Sequence, residues 1–198
     1  MSTLDVLLSA AGGSADAAEI VYRTDVFSST LYTGTGTTLD VVSGINMVDN
    51  DGMVWIKNRN YAQTSYIFDT LRGPLIKLSP DSTSAQSSVA GSLTDFNSDG
   101  FRVVSNLIPT NYVGGNFVSW SFRKQPKFFD IVSYTGDGTS GRVIPHSLGT
   151  TPGFIVVKNL TLGTSYWGCY HRSIGAGNIV NFNRTDAAYS YLQAWAGT

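Results

Sequence analysis

The chain has 198 residues, long enough to bury a substantial core in one large domain or two small ones. Thirteen Lys and Arg stand against 14 Asp and Glu, and only 14% of residues are charged, against about a quarter in ordinary soluble domains; this argues against nucleic-acid binding through phosphate neutralisation. The single Cys169 excludes an intrachain disulfide and a cysteine-built zinc site, while 21 glycines among many Ser, Thr and aromatic residues point to a many-stranded β-protein.

In chain order, Met1–Tyr22 carries Asp5, Asp16 and Glu19 and no Lys or Arg, so it lacks the positive start of a secretory signal. Ser2 and Thr3 ahead of Leu4, Val6, Leu7 and Leu8 suggest a short helix or a docking arm over residues 1–24. No apolar run reaches the roughly 18 residues of a spanning helix, so no membrane insertion is expected. Strands are predicted at Met53–Asn58, Ser65–Thr70, Phe101–Asn106, Asn116–Lys124, Phe128–Tyr134 and Gly153–Asn159, all β-branched or aromatic runs. Asp49–Gly52, Asn97–Gly100 and Thr151–Gly153 are turn chemistry. In Asn116–Lys124, Phe117, Ser119 and Ser121 alternate with Val118, Trp120 and Phe122, which assigns Trp120 to the core face. The polar stretch Asp81–Phe96 reads as a loop with a weak helical turn.

Gly136, Gly138 and Gly141 in SYTGDGTSGRVIP form the string G-x-G-x-x-G, which in a dinucleotide site opens a helix behind a strand. An internal repeat decides against that reading. Leu31–Val41 (LYTGTGTTLDV) matches Ser133–Val143, Gly52–Asn58 (GMVWIKN) matches Gly153–Asn159, and Thr64–Gly73 matches Thr164–Gly175, at offsets of 100 to 102 positions. The first copy has Leu39 where the third glycine would stand, and the second runs into Val143, Ile144 and Pro145, which oppose a helix. Paired glycines flanked by Thr suit a tight turn that needs positive φ. No cofactor is expected.

The two-copy pattern, with YTGDGTSGRVIPHSLGTTPGFIVVKNL and the companion segments DGMVWIKNR, LTDFNSDGF, WSFRK and FFDIVSYTG, resembles structural proteins of tailed bacteriophages from about Asp25 to Thr198. The resemblance implies an all-β fold of tandem β-sandwich modules of jelly-roll or concanavalin-like type. Residues 25–127 would form module 1 and residues 128–198 module 2, a partial repeat incomplete at its C-terminal end. It further implies a non-enzymatic virion component, a tail fibre or baseplate-associated protein acting in host attachment and assembly. Its partners would be other virion proteins, itself as a homo-oligomer (a trimer) and a host-surface glycan. A capsid decoration protein and a polysaccharide depolymerase are the alternatives. Module 2 stops where counterparts of the strands around Phe101 and Phe117 should begin. The chain would then be the ordered part of a longer fibre, take strands from neighbouring subunits, or close in its own way.

No residue is assigned a catalytic, cofactor-binding or metal-binding role. Cys169 and His171 would share a strand face, the kernel of a thiol enzyme, but the first copy has neither residue, so a buried thiol is the simpler reading. His146 is expected to satisfy a loop. Asp49, Asp51, Asp95 and Asp99 lack the twelve-residue calcium loop with its terminal Glu and read as turn residues. No Asp or Glu motif marks a glycosidase pair. Trp55, Trp120, Trp167 and Trp195 are residue types that stack on sugars, and Tyr61 and Tyr112 sit in loop contexts suited to surface contact. Arg72 with Arg172, and Lys57 with Lys158, recur in both copies and are expected to serve shared architecture. The sequons at Asn159 and Asn183 would matter only in a eukaryotic secretory pathway.

Overall fold

A computed structural model describes residues 6–7, 21–191 and 195. The protein is an all-β fold of antiparallel sheets with one helical turn. Strands β1 (Val6–Leu7) and β2 (Val21–Tyr22) pair, so this part of the expected arm is extended rather than helical; the rest of residues 1–20 lies outside the described residues. The single turn α1 (Arg23–Val26) follows, its start held by the Asp25 carboxylate accepting the Tyr22 N–H at 2.8 Å.

The first copy builds two facing sheets. One runs in the order β3 (Phe27–Thr33), β11 (Asn116–Arg123), β5 (Gly52–Asn58), β6 (Tyr66–Asp69). The other runs β4 (Leu39–Val42), β10 (Gly100–Val103), β9 (Leu93–Phe96). Val54, Ile56, Phe68 and Phe117 from the first sheet and Val41, Leu93, Phe101 and Val103 from the second form one buried cluster, closed by Ile45 and Met47. Eight of these ten side chains are wholly inaccessible, the signature of two sheets sharing one core. A short ribbon, β7 (Ile76–Lys77) with β8 (Ser87–Ser88), completes this copy. β8 and β9 fall inside the stretch predicted as loop. Ser87, Ser88 and Asp95 carry little strand propensity, and pairing with β7 and β10 overrides it.

The second copy has one sheet, β12 (Phe154–Val157), β13 (Gly168–His171), β14 (Asn178–Asn181), β15 (Tyr189–Ser190). Its register repeats that of β5 to β8. Met53 faces Asp69 and Val54 faces Phe68; Phe154 faces His171 and Ile155 faces Tyr170. Ile67 bridges Leu78 as Cys169 faces Val180, and Ile76 faces Ser88 as Asn178 faces Ser190. The repeat is therefore one of strand pairing, but β6 and β13 correspond at an offset of 102, two positions away from the match of Thr64 with Thr164 made on residue type. The third repeated segment differs. Phe128–Tyr134, predicted as a strand, forms none and contributes only the bridge from Gln125 to Phe129. Its counterpart β3 is held by seven residue pairs to β11, and no strand takes that place beside Phe128–Tyr134 among the described residues.

The faces of β11 are also the reverse of those predicted. Ser119 and Ser121 point into the core with Phe117, all wholly buried, while Val118, Trp120 and Phe122 lie on the outer face. β11 is a central strand whose small inward residues leave room for Phe68 and Phe101. Its large residues instead build an outer aromatic ladder, with Trp55 and Trp120 rings 5.3 Å apart and Phe27 and Phe122 rings 4.9 Å apart.

Candidate functional site

Two surfaces stand out, the seam between the copies and the uncovered face of the second sheet. At the seam, Trp167 of the second copy is 5% exposed and packs on Ile67 and Leu78, with Met53, Trp55 and Leu160 around it. Its indole N–H donates to the carbonyls of Ser79 (3.1 Å) and Ser82 (3.0 Å). Lys158 Nζ donates to the Thr83 carbonyl at 3.0 Å, and the Gln86 N–H donates to the Leu160 carbonyl at 3.0 Å. Ser79 and residues 82–86, the latter inside the stretch Asp81–Phe96 predicted as loop, are thus the dock for the second copy. The strand register places Trp167 where the first copy has Ser65, so its task is not one the repeat shares.

The link between the copies is also tied down. The Lys127 N–H donates to the Leu148 carbonyl at 2.8 Å, and Lys124 Nζ lies 3.1 Å from Asp130. Burial pushes the Asp130 carboxyl up, but the Ser147 N–H and hydroxyl, Lys124 and the Ile131 N–H outweigh it and hold the group below its ordinary value. A shallow cleft of about 290 Å³ opens beside the seam, lined by Trp55, Phe182, Asp81, Asn183 and Arg184 among others. Three of its polar residues are engaged: Asp81 accepts the Ser65 N–H, Asn183 accepts the Trp167 N–H, and Arg184 pairs with Asp186 and Tyr166.

The second surface is the inner face of the sheet β12 to β15, the counterpart of the face that lines the core in the first copy. A second hollow of about 290 Å³ lies there between Tyr134, Val157, Gly168, Ile179 and Trp195. Trp195, at the position of core Leu93 in the first copy, packs 5.9 Å from the ring of Tyr170, itself the counterpart of Phe68. One edge of this sheet is β12, which among the described residues pairs with β13 alone. Phe154 and Val156 on it are 54% and 39% exposed.

The chain belongs to the DUF7483 family. The match covers residues 23–198, both copies together, and the family is described as a domain of unknown function. No curated protein and no solved structure matches the chain.

Within this DUF7483 segment, Gly36 and Gly138 occupy the same place in the two copies with φ of 73° and 77°. No strand precedes the Gly136–Gly141 string and no helix follows it, so it is a turn. Lys57 and Lys158 are equivalent, Lys57 Nζ donating to the Gln63 carbonyl as Lys158 Nζ donates to that of Ser165. Arg72 and Arg172 are not equivalent, contrary to the sequence reading. Arg72 is buried against Asp69 at 2.6 Å and donates to the carbonyls of Ile67 and Ile76. Arg172 instead takes the place of Thr70, its N–H donating to Gly153 as that of Thr70 donates to Gly52. The strand pairing equates positions 102 apart on both sides of this turn, so Arg72 has Ile174 as its counterpart.

Cys169 is 3% exposed and its thiol is pushed up to about 11 by burial, so it is a neutral packing group at ordinary pH rather than a nucleophile. His171 is exposed and bonds Ser173 at 2.6 Å. His146 accepts the Leu148 N–H within its loop. Asp49 caps a turn with Asn46, Asp51 accepts from Thr70, Asp95 lies 4.0 Å from Arg102, and the Asp99 carbonyl accepts from Ser43 and Gly44. Among the described residues no group of His, Cys, Asp and Glu is arranged to hold a metal ion, and no helix is long and apolar enough to cross a membrane. Tyr61 and Tyr112 meet edge to face at 5.5 Å, with Tyr61 exposed and Tyr112 turned toward the core. Asn159 and Asn183 use their side-chain oxygens in local turns and at the seam.

Proposed function

We propose that the protein is a non-enzymatic structural component of a tailed-phage virion, a tail fibre or baseplate-associated protein that works in assembly and host attachment. The observation that carries this reading is the repeated β-unit. Two copies with one strand register are docked through a buried Trp and main-chain hydrogen bonds, the construction of a protein whose task is to hold shape and present surface. Low charge and the phage-like sequence pattern of both copies support it. The Trp167 indole and Lys158 at the seam, which donate to main-chain carbonyls, are consistent with this reading. Attachment would be multivalent, weak contacts of each copy multiplied by particle symmetry.

Immunogold electron microscopy of particles from a phage that encodes the chain tests this directly. Label on the tail is the expected result. Particles without label, or release of reducing ends from host polysaccharide by the purified chain, would overturn it.

A further inference from the structure

We infer that the cleft beside the seam is a subsite for one neutral hexopyranose unit of a glycan, stacked on Phe182 and hydrogen-bonded to Asp81, Asn183 and Arg184. The inference rests on the attachment part of the reading above and gives it a place and a ligand class.

The aromatic wall of the cleft is not part of what the copies share. The strand register makes Val156 the counterpart of Trp55 and Pro80 the counterpart of Phe182. Trp55 and Phe182 both line the cleft. Phe182 is 42% exposed, and its ring stands 5.5 Å from that of Trp55, which in turn meets Trp120 at 5.3 Å. A ring held at a set angle yet open to solvent offers its face to the C–H groups of a sugar, with little side-chain freedom left to lose.

The polar wall comes from one turn used twice. Asp81 and Asn183 are register counterparts: Asp81 Oδ2 accepts the Ser65 N–H as Asn183 Oδ1 accepts the Trp167 N–H. Docking of the copies brings both turns to one cleft. Among the described residues, Asp81 Oδ1, Asn183 Nδ2 and Arg184 Nη2 make no hydrogen bond within the protein, and Asp81 and Arg184 are exposed. A sugar hydroxyl both donates and accepts, so a carboxylate oxygen beside N–H donors satisfies it on both counts. The charges are matched: Arg184 pairs with Asp186, and Asp81 lies close enough to Lys77 to favour its charge. An uncharged sugar therefore fits better than a sulfated, sialylated or uronic one. At about 290 Å³ the cleft is at the small end of ligand sites, with room for one sugar ring.

The test titrates the full chain with the methyl glycosides of glucose, galactose, mannose and N-acetylglucosamine, read by NMR shifts of the Asn183 side-chain amide and the Trp55 indole. Saturable shifts with at least one of them are expected, with a dissociation constant in the millimolar range. Asp81→Asn and Asn183→Asp each put in the residue that the other copy uses for the same turn, so the turn keeps its acceptor. Each should still weaken binding about tenfold, because the first loses a carboxylate oxygen and the second an amide donor. Phe182→Ala, at an exposed site whose bond to the Trp167 carbonyl is main-chain, should abolish binding. No saturable shift with any glycoside, or affinity unchanged in all three variants, would overturn the inference. Immunogold label on the tail without glycoside binding would sink the subsite and spare the virion reading; binding with unlabelled particles would do the reverse.

Discussion

The two copies of the repeat begin from nearly the same strands and end in different states. In the first, the Tyr-Thr-Gly turn is closed over: a Cβ on Gly34 would come within 2.2 Å of the Tyr112 carbonyl oxygen, and Tyr32 is sandwiched in the core. In the second, a Cβ on the equivalent Gly136 would meet nothing within 4 Å, and Tyr134 is half exposed. The turn is the same and only its cover differs. A strand sequence with the right propensity stays irregular when its partner strand is absent, because its main-chain groups gain nothing over water by extending. Conversely, the four strands that the copies share pair identically because each has its partner in the same copy.

That contrast can be broken by paired substitutions read out by urea or thermal unfolding. The largest effect is expected for Phe117→Ala, which empties a wholly buried ring site and should cost about 3–5 kcal/mol, against less than about 0.5 kcal/mol for Tyr134→Ala. Equal costs would mean that the second copy has a closed core of its own. Next comes the seam. Trp167→Phe removes the donor to the Ser82 carbonyl and one of the two to the Ser79 carbonyl and should cost about 1–3 kcal/mol; it should also accelerate amide exchange in β12 to β15 more than in β3 to β6. Uniform acceleration would show that the copies unfold as one unit.

Gly34→Ala should cost about 1–3 kcal/mol through the clash with the 111–115 loop, and Gly136→Ala should be near neutral. The smallest effect concerns pH. The Cys169 thiol ionises near 9 when unfolded and near about 11 when buried, so between those values the unfolded state holds fewer protons. The stability from this group is therefore complete below pH 9 and is lost as pH rises toward 11. Cys169→Ala should flatten that part of the stability profile, whereas Cys169→Ala with an unchanged alkaline slope would assign it elsewhere.

Much of this was legible beforehand. β5, β6, β10, β11 and β12 announce themselves as β-branched and aromatic runs between turn residues, and the turn reading of Gly136 to Gly141 followed from comparing copies. β3 and β4 did not announce themselves, since Ser28, Ser29 and Asp40 interrupt their apolar runs and pairing with β11 and β10 makes them strands. The faces of β11 were misread because alternation fixes which residues share a face and says nothing of which face looks inward. The equivalence drawn between Arg72 and Arg172 failed because residue type was matched without register. The seam was illegible for a different reason, since Trp167 meets carbonyls 85 and 88 positions away.

What the amino-acid sequence determined by itself is the all-β class, the duplication and the chemistry of its turns, because strand propensity, positive-φ glycines and repeat spacing are local properties. Which copy closes its core, which face of β11 turns inward and how the copies dock were decided only by tertiary structure. Those outcomes depend on whether a distant partner strand or carbonyl arrives to satisfy what the local sequence leaves open.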